Sequence, residues 1–210
     1  MAKYALGCFG IIVLGVILLV IAGCGSYNGL VQRSQDVDSK WADVETQYQR
    51  RADLIPNLVN TVSGAANFEK STLVEITNAR ASVGQVKLDP TKAPSDPQQL
   101  AQFQNAQNQL GGALSRLLVV SERYPDLQAN SNFRDLQAEL EGTENRIAVA
   151  RKNFNDSTQA YDTAIKSIPA VFYAGATGFS YKPFFEAVAG ADKAPSVNFN
   201  FGGASPAPTQ

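Results

Sequence analysis

Between Tyr4 and Cys24 the chain runs for 21 residues without a charged side chain. That stretch constrains the fold more than any other. At about 1.5 Å per helical residue it is long enough to cross a hydrocarbon layer of roughly 30 Å. A water-soluble core helix needs only one apolar face, and this stretch is apolar or small all round. Two readings follow. One is a transmembrane helix that stays in the mature protein. The other is a signal peptide, with a basic start at Lys3, an apolar middle and small residues at its end. The second has a sharper form, because Ile21-Ala22-Gly23-Cys24 resembles a bacterial lipobox and makes Cys24 a candidate lipid-attachment residue. The full length of the run favours the uncleaved helix. Either way residues 4–24 tie the chain to a membrane. Lys3 precedes the run and Arg33 and Lys40 follow it, a nearly even positive-inside tally. Lipobox processing takes place outside the cytoplasm, so the expected location is a bacterial membrane, single-pass or lipid-anchored, with an exported body.

Beyond Ser26 the apolar residues change rhythm. Leu30, Val31, Val37, Trp41, Val44 and Tyr48, then Ile55, Leu58, Val59 and Val62, recur at helical steps and predict a helix over 27–63. Pro56 lies inside it. A proline there removes a backbone hydrogen bond and crowds the preceding turn. The helix is therefore expected either to kink near Ala52 or to restart with Asp53 as cap. Ser63-Gly64 is a natural stop. A second helix is expected over 66–87 on Phe68, Leu73, Ile76 and Ala79 or Val83. Three prolines then make Leu88–Gln99 a loop, and Asp96-Pro97 reads as an N-cap with proline at N1. A third helix is expected over 97–123, on Leu100, Phe103, Leu110, Leu114, Leu117 and Leu118. Its Gly111-Gly112 pair suggests close approach by a neighbouring helix. The longest pattern, 131–166, carries Phe133, Leu136, Leu140, Ile147, Ala150, Phe154, Tyr161 and Ile165 in the three, four and seven steps of a bundle seam. After Pro169 the period fails. Val197, Phe199 and Phe201 alternate with asparagines, and we read this as chance alternation in an unstructured tail rather than as a strand.

Composition narrows the chemistry. The chain has no histidine, its only cysteines are Cys8 and Cys24, and its formal net charge is -1. The commonest general base and the Cys/His metal sites are missing from the body. Near-neutral charge gives no pull toward nucleic acid. No cofactor, metal or nucleic-acid partner is expected, and no spacing supports a catalytic constellation.

Several stretches together resemble the LemA family of bacterial membrane-associated proteins: SYNGLV after the apolar run, WADVETQYQRRADLIPNLVNTV, YPDLQANSNFRDLQAELEGTENRIAVARKNFNDSTQAYDTAI, and GFSYKPFFE near 178–186. The resemblance is collinear over roughly 4–190. Phe154-Asn155 and Tyr161-Asp162 stand where Tyr-Asn is more usual. The resemblance implies an N-terminal anchor and an antiparallel helical bundle, and it implies no chemistry. Family genes often neighbour those of HtpX-type membrane metalloproteases and of small membrane proteins with a TPM-type domain.

The polar cluster around Arg50-Arg51 has two readings. It could grip phosphates or a partner's carboxylates. Alternatively, one of the two arginines turns inward and pairs with Glu141 or Glu144 on the last helix, fixing register, and this is the reading we prefer. Glu144, Asn145 and Arg146, with Arg151, form the matching cluster. Asn145, or Asn57 and Asn60 locally, is a candidate partner for backbone opened at Pro56. Trp41 and Tyr48 read as core. Asp36/Asp38 and Glu139/Glu141 stand two apart, on different helix faces, and read as solvated.

The expected architecture is all-α: an anchor over 1–26, an elongated antiparallel four-helix bundle over 27–168, an irregular extension packed on it over 169–190, and a flexible tail over 191–210. The expected function is that of a non-catalytic, membrane-tethered scaffold or adaptor of the cell envelope, binding copies of itself or other envelope proteins. The alternative is an accessory or regulator of an HtpX-type metalloprotease.

Overall fold

The computed structural model describes residues 2–64 and 68–186, and among these every regular element is helical. Helix α1 spans Ala2–Ser63, α2 Lys70–Gln85, α3 Pro97–Ser121, α4 Pro125–Ala129 and α5 Ser131–Lys166, followed by a 3-10 turn at Ala170–Phe172. The tail and the Val197–Phe201 alternation lie outside the described residues.

The first finding is continuity. Helix α1 is 62 residues long and does not break at Ser26 or at Pro56. Its N-terminal part has a mean hydropathy of 1.9 and almost no burial within the molecule, which makes it long and apolar enough to cross a membrane. Val13, Leu14, Ile17, Leu18, Val20 and Ile21 are all bare. From Leu30 onward one face of the same helix is fully buried.

The expected kink or cap near Ala52–Asp53 is therefore corrected. Pro56 lies on the exposed side, and the carbonyl its ring deprives of a donor, that of Ala52, accepts a 3.3 Å bond from Arg80 Nε on α2. Neither Asn145 nor the Asn57/Asn60 pair is needed there, and the side chains of all three are exposed. An outside donor removes part of the cost of a mid-helix proline.

Helices α1 and α5 run antiparallel along most of their shared length. Tyr173, just past α5, reaches Ser26, Asp36 meets Ser157, Trp41 meets Phe154 and Arg50 meets Glu139. Helices α2 and α3 form a second antiparallel pair, tied by Glu75–Arg116 and Glu69–Arg123, both at 2.9 Å. The seams explain the pairing. On α1 the inward positions are 37, 41, 44, 48, 51, 55, 58 and 62; on α3 they are 100, 103, 107, 110, 114, 117 and 121. These alternating steps of three and four are the 3.5-residue repeat that lets long helices pack side by side. The helix starts follow local chemistry. Asp96 accepts from Gln98 N at 2.8 Å with Pro97 at N1, and Asn130 accepts from Asn132 N at 2.9 Å.

One expectation about α3 fails. A Cβ built at Gly111 would meet only Arg51 Nη1 at 4.0 Å, and one at Gly112 would meet nothing within 4 Å. No neighbouring backbone requires either glycine, and nothing in the packing explains the pair.

Candidate functional site

The interior is divided in two. A membrane-proximal cluster gathers Leu30, Val37, Trp41, Val44 and Tyr48 of α1 with Phe103, Phe154, Tyr161 and Phe185. A distal cluster gathers Ile55, Leu58 and Val62 with Ile76, Leu110, Leu117, Phe133 and Leu140. Between them lies a polar layer, and it contains the sequence-predicted arginine.

Arg51 occupies a seam position between Tyr48 and Ile55 and is only 3% exposed. Its Nη1 donates to Glu144 Oε1 at 2.5 Å. Its Nη2 bonds the side-chain oxygen of Gln107 and lies 3.3 Å from the Gln107 carbonyl. Its guanidinium also sits over the Tyr48 ring, 5.1 Å from the centroid. The Nε is buried without a partner. Glu144 is half exposed, with a side-chain exposure of 49%. A cleft of about 270 Å³, lined by Tyr48, Arg51, Gln107, Glu144 and Arg151 among others, opens beside the layer. The guanidinium is committed to internal acceptors, so the layer holds helices α1, α3 and α5 in register and leaves little for a ligand.

The other singled-out residues lie outside this layer. Arg50 points outward to Glu139 at 2.8 Å. Glu141 accepts from Gln137 at 3.0 Å instead of meeting an arginine of α1. Asn145 and Arg146 are exposed. The solvated reading of Asp36/Asp38 needs correcting at Asp38. Its carboxylate accepts from Lys182 Nζ at 2.9 Å and from Ala93 N at 3.0 Å, with both charged side chains mostly buried.

That pair belongs to the most constructed feature of the molecule, which the sequence did not disclose. Past the 3-10 turn the chain reverses at Gly178, whose φ of 85° favours a residue without a Cβ. Residues 179–186 then return along the bundle as an extended strap. Side chains hold its backbone in the way a sheet neighbour would. Asn155 donates to Phe185 O at 3.0 Å and accepts from Phe185 N at 2.9 Å. Gln104 donates to Glu186 O at 2.7 Å and accepts from Glu186 N at 3.3 Å. Asp162 accepts from Lys182 N at 3.2 Å. The Phe185 ring enters the proximal cluster, stacked on Trp41 and edge-on to Phe154, with the Arg151 guanidinium over the ring at 4.7 Å. The loop before α3 is pinned at the same place, since Trp41 Nε1 donates to Asp89 O at 2.9 Å.

Burial shifts two carboxyls here. It pushes the Asp162 carboxyl up, partly opposed by the strap N–H and by Lys166 and Lys182. It also pushes Glu45 up; Glu45 Oε2 is buried with no hydrogen-bond partner. Among the described residues no group of three acidic or cysteine side chains is placed to hold a metal. Cys24 is an exposed free thiol on α1.

A sequence model of the LemA family matches residues 40–199, and so covers the polar layer, the clamps and the strap. The chain belongs to the LemA family. It is 28% identical over 188 residues to the magnetosome protein MamQ of Magnetospirillum gryphiswaldense, covering 82% of this chain and 69% of that protein. It is 26% identical over 189 residues to magnetosome protein MamQ 2 of Paramagnetospirillum magneticum, covering 83% and 70%. It is also 22% identical over 157 residues to protein LemA of Metamycoplasma hominis, covering 75% and 66%. Membership fits the observed helical body and the apolar N-terminal helix. Within the matched region Phe154 packs in the proximal cluster, and Asp162 offers the strap an acceptor.

Proposed function

We propose that this LemA-family chain is a non-catalytic, membrane-tethered scaffold of the bacterial cell envelope, with its body on the exported side. In this reading the α1/α5 and α2/α3 pairs act as one elongated up-and-down four-helix body. That body presents its outer faces to copies of itself or to other envelope proteins. The observation that carries the reading is the unbroken α1. One helix is apolar and bare at Val13–Ile21, where its exposed side chains are described, and a buried bundle member at its end, so in this reading the body is held rigidly to the bilayer. The buried polar groups support a structural role, because Arg51, Gln104, Asn155 and Asp38 all spend their hydrogen bonds on the fold.

The test has two arms. A tag after Gln210 is expected to be cut by protease added to spheroplasts, and a protected tag would reverse the orientation. Chemical crosslinking in intact membranes is expected to trap multimers or defined envelope partners. A chain that remains monomeric and captures nothing removes the scaffold reading. Capture of an integral metalloprotease alone would replace it with an accessory role.

A further inference from the structure

The end of α5 is finished in an unusual way. The turn through 168–172 leaves Ile168 and Phe172 each 80% exposed and Val171 50% exposed. Elsewhere on the described body the bare aliphatic residues Val74, Val119 and Val149 stand singly on three different helices, and the half-bare rings are Tyr181 and Phe184 of the strap. The turn is not loose. Ala170 and Ala174 are buried beneath it, and Tyr173 donates to Ser26 Oγ at 2.7 Å. Ser26 lies two residues beyond Cys24, where the apolar run of α1 ends. The three apolar side chains are therefore fixed at the level where α1 leaves the hydrocarbon. Tyr27, itself 41% exposed, shares that level. Arg33 on α1 and Lys166 on α5 are exposed further into the body. Apolar and aromatic side chains at the boundary, with cations above them, are the arrangement that suits the acyl and headgroup layers of a bilayer.

We propose that Ile168, Val171 and Phe172 form an apolar foot that inserts into the interfacial layer of the same membrane that α1 crosses. The occupant of this patch is lipid, on the strength of its continuity with the membrane-spanning part of α1. The inference rests on the membrane-tethered reading above. With the foot in place, the body is supported at two points, the α1 exit and the end of α5, and stands against the bilayer instead of pivoting on one helix.

The experiment uses the full chain in phosphatidylcholine–phosphatidylglycerol vesicles, with and without lipids brominated near the top of the acyl chain. Trp41 is the sole tryptophan and is fully buried, so the parent chain reports the background. Phe172→Trp is expected to emit further to the blue than a solvated indole and to lose at least about half of its added fluorescence to the brominated lipid. Val119→Trp, on α3 with its neighbours in the distal cluster, is expected to be unquenched. Flotation with the vesicles is measured on the same samples. If the chain floats and Phe172→Trp is quenched no more than Val119→Trp, the foot is overturned and the tether stands. A blue emission without bromine quenching likewise overturns it, in favour of a protein cover such as a second copy. If the chain does not float, both the tether and the foot fail.

Discussion

Arg51 is held by two unlike partners, and the difference decides what mutations do. Glu144 is half in water and survives alone; Arg51 is buried and does not. Glu144→Ala is therefore expected to cost about 2–3 kcal/mol, because it strands a buried charge. Arg51→Met combined with Glu144→Ala is expected to recover at least about 1 kcal/mol of that loss, since an apolar side chain of similar reach fills the layer without a charge. Thermal melts of the detergent-solubilised chain check this, and a double variant no more stable than Glu144→Ala would refute it. Asp38→Ala is expected to cost about 2–3 kcal/mol for the same reason, with Lys182 left mostly buried and without its bonded carboxylate. Glu45 behaves the other way. Its folded pKa is raised by burial, so ionising it opposes folding, and its contribution to stability is present at low pH and lost as pH rises through the raised value. The Tm of Glu45→Gln is thus expected to exceed that of the parent at pH 7, with the gap narrowing as the pH is lowered.

At the scale of elements, the helices were legible because their seams are written in long apolar residues. The pattern over 131–166 matches α5 to the residue, and Asp96-Pro97 announced the start of α3. The polar members of the seams were harder. Arg51 continues the three-four spacing of Tyr48 and Ile55, which singles it out from Arg50, and Gln107 continues the spacing of Phe103 and Leu110 on α3. The inward arginine and its glutamate were expected, and reading the positions by spacing singles out Arg51 and adds Gln107. An extension packed on the bundle was expected past Pro169, but the clamps that hold the strap were not legible. Its clamps come from Gln104, Asn155 and Asp162, separated from it by up to 82 residues, and side-chain amides pairing with a backbone leave no periodic trace. The glycine pair misled for a related reason, since close approach is only one reason for a helical glycine. Gly112→Ala is accordingly expected to stabilise α3 by about 1 kcal/mol, measured as a rise in Tm. Asn155→Ala is expected to loosen the strap, seen as faster amide exchange at Phe185, while α5 keeps its protection.

On the scale of the whole molecule, α1 joins what would ordinarily be two parts. From Ser26 to Ser63 it rises roughly 57 Å at the helical rise per residue. No hinge lies in that length, because Pro56 is compensated by Arg80 and the polar layer locks the register. Membrane helices lean by about 20° on average as they adjust to bilayer thickness. A stiff rod of this reach converts such a lean into a sideways sweep of roughly 20 Å at its outer tip. The apolar foot at the end of α5 opposes that lean, so such a sweep belongs to a chain that lacks the foot. In that sense the unbroken helix is a lever arm, and the foot is the second bearing that steadies it.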